Sequence, residues 1–227
     1  MVRTPRHHPA PAELVRHRGE WTHRWKDRRG TDWATPTAKR ILRRHLKRLA
    51  HGKCVYCEGR LGKTTYVEIE HYTAKTVAPE LAFKWTNLFP ACRLCNQKKG
   101  EQEHGGLLLK PDVEDPEPYF WINPDSGELQ PHPRLDSDEH RKRRALTTME
   151  ICDLQREGLC ASRVERMTEI RLLASLPTSG SLSMEAREFL LDPEREYKFV
   201  IRHVLEQLGY EELAQEDRRR FEAPPLP

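Results

Sequence analysis

CVYCEGRLGKTTYVEIEHYTAKTVAPELAFKWTNLFPACRLCNQKKG, residues 54–100, holds two Cys-x-x-Cys pairs, Cys54/Cys57 and Cys92/Cys95, with 34 residues between them. Each pair has the two-residue spacing by which one tight turn sets both sulfurs on a single tetrahedral ion at about 2.3 Å. Together they read as a structural Zn²⁺ site with four thiolate ligands. Redox disulfides are the alternative, but the segment lacks the βαβ pattern that such a motif accompanies. Cys152 and Cys160 have no comparable spacing and read as buried small hydrophobes.

What fills the interval carries the chemistry. Tyr66-Val67-Glu68-Ile69 alternates like a strand and runs into Glu70-His71, and Trp85–Phe89 reads as a second short strand. Cys95-Asn96-Gln97-Lys98-Lys99-Gly100 reads as a short helix closed by glycine. Glu-His, then Asn-Leu, then Cys-Asn-x-x-Lys is the order of a ββα-metal site.

The pattern Cys54-x-x-Cys57 … Ile69-Glu70-His71-Tyr72-x-x-Lys75 … Asn87-Leu88 … Ala91-Cys92-x-x-Cys95-Asn96-x-x-Lys99-Gly100 resembles the HNH endonucleases. The likeness is to the subgroup with a four-cysteine zinc knuckle, and to the HNH subunits of Septu-type bacterial antiphage systems and their retron-linked relatives. Ala74 departs from it, since proline usually precedes the lysine, and Glu70 stands where many such enzymes have Asp. The resemblance implies a metal-dependent endonuclease that hydrolyses phosphodiester bonds, with DNA favoured as substrate. It further implies an effector role in antiphage defence beside an ATPase partner subunit. An RNA- or tRNA-cleaving nuclease, or a zinc-dependent nucleic-acid-binding module without catalysis, are the competing readings.

Phosphodiester hydrolysis needs an activated water, a cation at the leaving oxygen and groups that hold the phosphate. His71 is the candidate general base, and an unperturbed imidazole would make activity rise near pH 6–7. Glu70 and Asn96 offer hard oxygen ligands to a catalytic Mg²⁺ or Mn²⁺. Asn87 matches the family's middle asparagine, whose amide holds the loop after His71. Lys75, Arg93, Lys98 and Lys99 are expected on flanking phosphates. The other histidines carry no comparable context and read as surface residues.

Upstream, Thr35-Pro36 reads as a cap and first-turn proline, with Ala38, Ile41, Leu42, Leu46 and Leu49 at helical spacing, predicting a helix over 36–51. Its other face carries Lys39, Arg40, Arg43, Arg44, Lys47 and Arg48, with no acid in the segment. A merely solvated helix usually mixes signs, so this face is expected to contact nucleic-acid phosphates. Residues 1–35 read as a basic arm with a short helix at 11–27. Its Trp21, Trp25 and Trp33 are expected to anchor it to the rest of the chain.

Downstream, residues 106–135 form a Pro-rich wrapping segment, and 136–227 a mainly helical region. Helices are expected over 138–157 and 159–176, with a turn at Pro177–Ser183. Another is expected from Asp192-Pro193 to Gly209, before a frayed tail from 215. Residues 36–105 hold the basic helix and the core. Residues 1–110 contain 23 Lys+Arg against 10 Asp+Glu, and residues 111–227 contain 16 against 25. The basic half suits a polyanion; the acidic half suits a protein partner such as the ATPase. No stretch approaches the roughly 20 apolar residues of a membrane span or reads as a signal peptide. The expectation is a cytoplasmic α+β protein: a ββα-metal core with its zinc knuckle, flanked by helices.

Overall fold

Thr35 accepts a hydrogen bond from the Ala38 amide and Pro36 occupies the first turn, so α2 (Pro36–Leu49) starts where its cap requires. The computed structural model describes residues 1–7, 9–27, 33–62, 66–175 and 182–223. The apolar stripe Ala38, Leu42, Leu46 and Leu49 is buried. It packs with Ile69 and Leu88 on one side of an antiparallel hairpin, β1 (Glu68–His71) and β2 (Leu88–Ala91). Glu70 stands opposite Phe89, and His71 opposite Leu88. Helix α3 (Arg93–Lys99) follows at once, with Cys92 as its N-cap and Gly100, at φ 55°, as its C-cap. The strand expected at Trp85–Phe89 is a single 3₁₀ turn over Trp85–Asn87, and pairing begins only at Leu88. The Asn87 amide donates back to Lys84, which closes that turn and precludes an extended backbone there.

Two apolar cores meet at the hairpin. The first joins α2, Ile69, Phe83 and Leu88 to Leu14 and Trp25 of α1 (Ala12–Asp27). The second runs from the cysteine cluster and Phe89 through a second hairpin into the C-terminal helices. That hairpin pairs β3 (Phe120–Ile122) with β4 (Leu129–Pro131). At its turn Gly127 has φ 71°, and a Cβ there would lie 2.2 Å from the Cys160 carbonyl oxygen, so only glycine fits.

Helices α4 (Glu139–Ile151), α5 (Glu157–Ser175), α6 (Met184–Leu191), α7 (Lys198–Gln207) and α8 (Glu211–Glu222) complete the fold. α4 ends six residues before the expected boundary, where Asp153 turns the chain at φ 50°. Asp192-Pro193 does not open a helix. The Asp192 carboxylate accepts from the Glu194 amide in a turn, Tyr197 follows at φ 58°, and α7 starts at Lys198. The expected fraying from 215 is replaced by α8, whose Asp217 bonds Lys198 Nζ (2.5 Å) and Arg202 Nε (2.7 Å) inside the core. Glu117 also pairs with Arg202 and Arg218. Part of the acidic excess is thus internal. Pro224–Pro227, and 177–181 of the expected Pro177–Ser183 turn, lie outside the described residues. Among those described no helix is long and apolar enough to cross a membrane.

Candidate active site

The four cysteines converge. Their sulfurs all lie within 4.8 Å of one another, and all four residues are buried. Cys57 Sγ and Cys92 Sγ are 3.8 Å apart, and the edge of a tetrahedron with Zn–S bonds of about 2.3 Å is about 3.8 Å. The donor set and its spacing therefore fit a structural zinc. Hydrogen bonds from the sulfurs of Cys54, Cys57 and Cys95 hold the Cys92 thiol well below its ordinary range. Arg156, at the start of α5, brings its guanidinium to 3.6 Å from Cys95 Sγ. Burial opposes that charge, yet the cysteines outweigh it and raise the Arg156 pKa. A four-thiolate zinc carries net negative charge, which this cation balances from outside the ligand set.

Beside the knuckle, Glu70, His71, Lys75 and Asn96 line one cleft of about 160 Å³, with Trp33, Gly100 and Glu101. His71, at the end of β1, is buried; its Nε2–H donates to the Ala82 carbonyl at 3.0 Å. That bond fixes the neutral tautomer and leaves Nδ1 as the basic nitrogen. Burial, with Lys75 adding to it, pushes the imidazole pKa down to about 3. Burial and the neighbouring Lys75 and Lys99 thus favour a neutral His71 at the pH 6–7 where an unperturbed imidazole would titrate. Asn87 donates from Nδ2 to the carbonyls of Thr73 (2.9 Å) and Leu81 (3.2 Å) and accepts from the Thr73 amide (2.8 Å). It ties both ends of the loop after His71.

Glu70 is buried, and its Oε1 receives Lys99 Nζ at 2.7 Å and the Tyr56 hydroxyl at 3.3 Å. Burial pushes its pKa up to about 7 against the pull of Lys99. Lys99 was expected on a substrate phosphate, but it is wholly buried and also donates to the His71 carbonyl at 2.8 Å. One turn after the ligand Cys95, it lies on the inward face of α3. Removing one partner of a buried pair leaves the other uncompensated, at a cost of about 3–5 kcal/mol. Lys99→Met is therefore expected to destabilise the fold by that amount in urea denaturation, whereas a phosphate-binding surface lysine would cost almost nothing.

The remaining expected phosphate contacts sit differently. Arg93 and Lys98 are exposed on α3, and Lys75 is half-buried at the cleft mouth, 3.7 Å from Glu101. On α2, Arg40, Arg43, Arg44, Lys47 and Arg48 are exposed and Lys39 half-buried. Arg43 donates to the Val67 carbonyl at 2.9 Å, and among the described residues Arg40, Arg44, Lys47 and Arg48 form no ion pair. Of the histidines read as surface residues, His51 and His104 are half-buried and bond the carbonyls of Phe221 and Tyr72. The three tryptophans do anchor the arm: Trp21 and Trp33 pack on Phe83, and Trp25 Nε1 donates to the Lys75 carbonyl.

Three contributors, Tyr56, Arg156 and Arg6, have no role in the sequence reading, and Trp33 is expected there only as an anchor of the arm. Tyr56 bonds Glu70, Trp33 stands edge-on to His71 at 4.7 Å, Arg156 faces the cysteines, and Arg6 staples the arm to the carbonyl of Leu88. Tyr56 had a local signal, being an aromatic inside the first cysteine pair; the others meet their partners only through tertiary folding.

Residues 54–102 match the HNH endonuclease family. The chain is also 32% identical over 109 residues to the Septu protein PtuB of Bacillus thuringiensis, covering 47% of this chain and 41% of that protein. A Septu protein PtuB of Bacillus mycoides is 29% identical over 116 residues, covering 37% of this chain and 39% of the relative. The chain thus spans less than half the length of these curated relatives. The matched residues are those that build the hairpin, the helix and the cysteine cluster, and this chain carries an HNH endonuclease domain.

Proposed function

We propose that this chain is a divalent-metal-dependent endonuclease that hydrolyses phosphodiester bonds of nucleic acid, DNA before RNA. We place it as the nuclease of a bacterial antiphage defence system, acting with an ATPase partner. The observation that carries the chemistry is the tethered His71: its Nε2–H is committed to Ala82, and it shares a cleft with Glu70 and Asn96. The likeness to Septu proteins supports the defence setting.

In this reading His71 Nδ1 takes a proton from the attacking water as its oxygen bonds to phosphorus and the bond to the leaving sugar oxygen breaks. A low pKa makes it a weak base, but one that is unprotonated at every physiological pH. Asn87 keeps the imidazole aimed by bracing the loop on which Ala82 sits. Glu70 and Asn96 would hold the Mg²⁺ or Mn²⁺, a donor set suited to an ion that takes few protein ligands. Such an ion supplies charge stabilisation at the leaving oxygen. The test is full-length protein with Mg²⁺ or Mn²⁺ against plasmid, single-stranded DNA and tRNA. Metal-dependent nicking of DNA is expected; intact substrates in every arm would reject the reading.

The exposed α2 cations provide a backbone contact. Each phosphate contact releases about 0.9 counterion on duplex DNA. Arg40, Arg43, Arg44 and Lys47 changed together to Gln are therefore expected to flatten the salt dependence of duplex binding by about three to four units, whatever the sequence. An unchanged slope would return α2 to a solvated helix.

A further inference from the structure

The α1 side of the domain holds a groove that none of the assigned contacts uses. It has a volume of about 470 Å³ and lies between α1 and the loop joining β1 to β2. Arg18, Thr22 and Lys26, four residues apart on one stripe of α1, form one wall, and Glu80 and Lys84 stand on the other. Among the described residues the side chains of Arg18, Lys26 and Lys84 make no ion pair or hydrogen bond, whereas His23 is held by Asp27 at 3.0 Å.

Gly19 also lines the groove, in the middle of the helix. Glycine is the poorest helix former after proline, and packing does not demand it here: a Cβ at Gly19 would meet no atom within 4 Å. What glycine does at this position is leave the groove wall bare. The groove neighbours the cleft across a contact of packed aromatic rings. Its Phe83 touches Trp33 at 5.1 Å, and Trp33 touches His71 at 4.7 Å.

The geometry points to a second nucleic-acid-binding site in this groove, which takes the phosphodiester backbone of a substrate strand and leads it past Trp33 to His71. Arg18, Lys26 and Lys84 hold the phosphates, and Gly19 lets the strand approach α1 closely. The site lies on the α1 side, apart from the α2 cations, so the two grip different stretches of backbone. This inference rests on the nuclease reading, since it needs a nucleic-acid substrate.

The test measures binding of full-length protein to labelled duplex DNA, single-stranded DNA and RNA, without added Mg²⁺, over about 50–200 mM salt. Changing Arg18, Lys26 and Lys84 to Gln is expected to flatten the salt slope on the preferred substrate by about two to three units, additively with the α2 variant. Gly19→Gln adds no charge and has open space to fill. It should leave the melting temperature unchanged or raised, yet weaken binding, whereas Gly19→Ala binds as the parent does. If the parent binds and the α2 variant is impaired, but the triple variant and Gly19→Gln both bind as the parent does, the groove is not a substrate site. If the parent binds no nucleic acid, the nuclease reading fails and this inference with it.

Discussion

Replacing His71 by alanine is expected to slow single-turnover cleavage by about 10²–10⁴-fold, the range typical of a lost general base. Zinc content and substrate affinity should stay near the parent values, because a base acts on the attacking water and contributes little to ground-state binding. Asn87→Ala should fall between parent and His71→Ala, since it loosens the Thr73 and Leu81 tethers without removing the imidazole. The pH profile is a sharper check. The imidazole is lowered to about 3 by burial and by Lys75, so the base is active above that value and contributes no rise between pH 6 and 7. In the proposed site Glu70, its pKa raised to about 7, would bind the cation in competition with a proton. Apparent Mg²⁺ affinity should therefore strengthen as pH rises through about 7, and saturating metal should remove most of that dependence. Cleavage by His71→Ala at the parent rate would reject the assignment of the whole site.

The second large effect concerns the cysteines. Elemental analysis is expected to find about one zinc per chain, and Cys92→Ser to lose it together with the cooperative melting transition. Structural zinc in small sites contributes about 10–16 kcal/mol, as much as or more than the 5–15 kcal/mol that holds an ordinary domain together. Here the cluster joins the turn at 54–57 to the start of α3, so its loss also frees the helix that carries Asn96 and Lys99. Zinc-free protein with an unchanged melting curve would reject the metal site.

The readable parts of this molecule were those in which the chemistry is local in the chain. A Cys-x-x-Cys pair encodes its own turn, Thr35-Pro36 its own helix start, and Glu70-His71 its place at a strand end. For Lys99 the local pattern misleads, because Cys-Asn-x-x-Lys taken as a string of groups does not tell which face of the helix the lysine is on. Counted as a helix, the same letters put Lys99 one turn from the buried Cys95. The tail was misjudged because its charges masked a stripe: Leu213, Asp217 and Phe221 are four residues apart, and the acid in the middle is satisfied by Lys198 and Arg202. Asp192-Pro193 fits a helix cap and an Asx turn equally well, and only the left-handed Tyr197 that follows decides between them. Trp33 against His71 and Arg156 against Cys95 are long-range meetings that no spacing in the sequence encodes.

The two-core construction also bears on how the chain comes together while it is made. All ligands of the cysteine cluster and every residue of the cleft have left the ribosome soon after Glu101, and the core under α2 needs nothing later. The partners that finish the knuckle arrive last. Lys53 donates to the Pro193 carbonyl, Arg60 reaches Glu194 and Glu196, and His51 meets the Phe221 carbonyl. Domains tend to fold from the N-terminus during synthesis. Capture of the proposed zinc would thus come first, and the C-terminal helices would close over a hairpin already pinned.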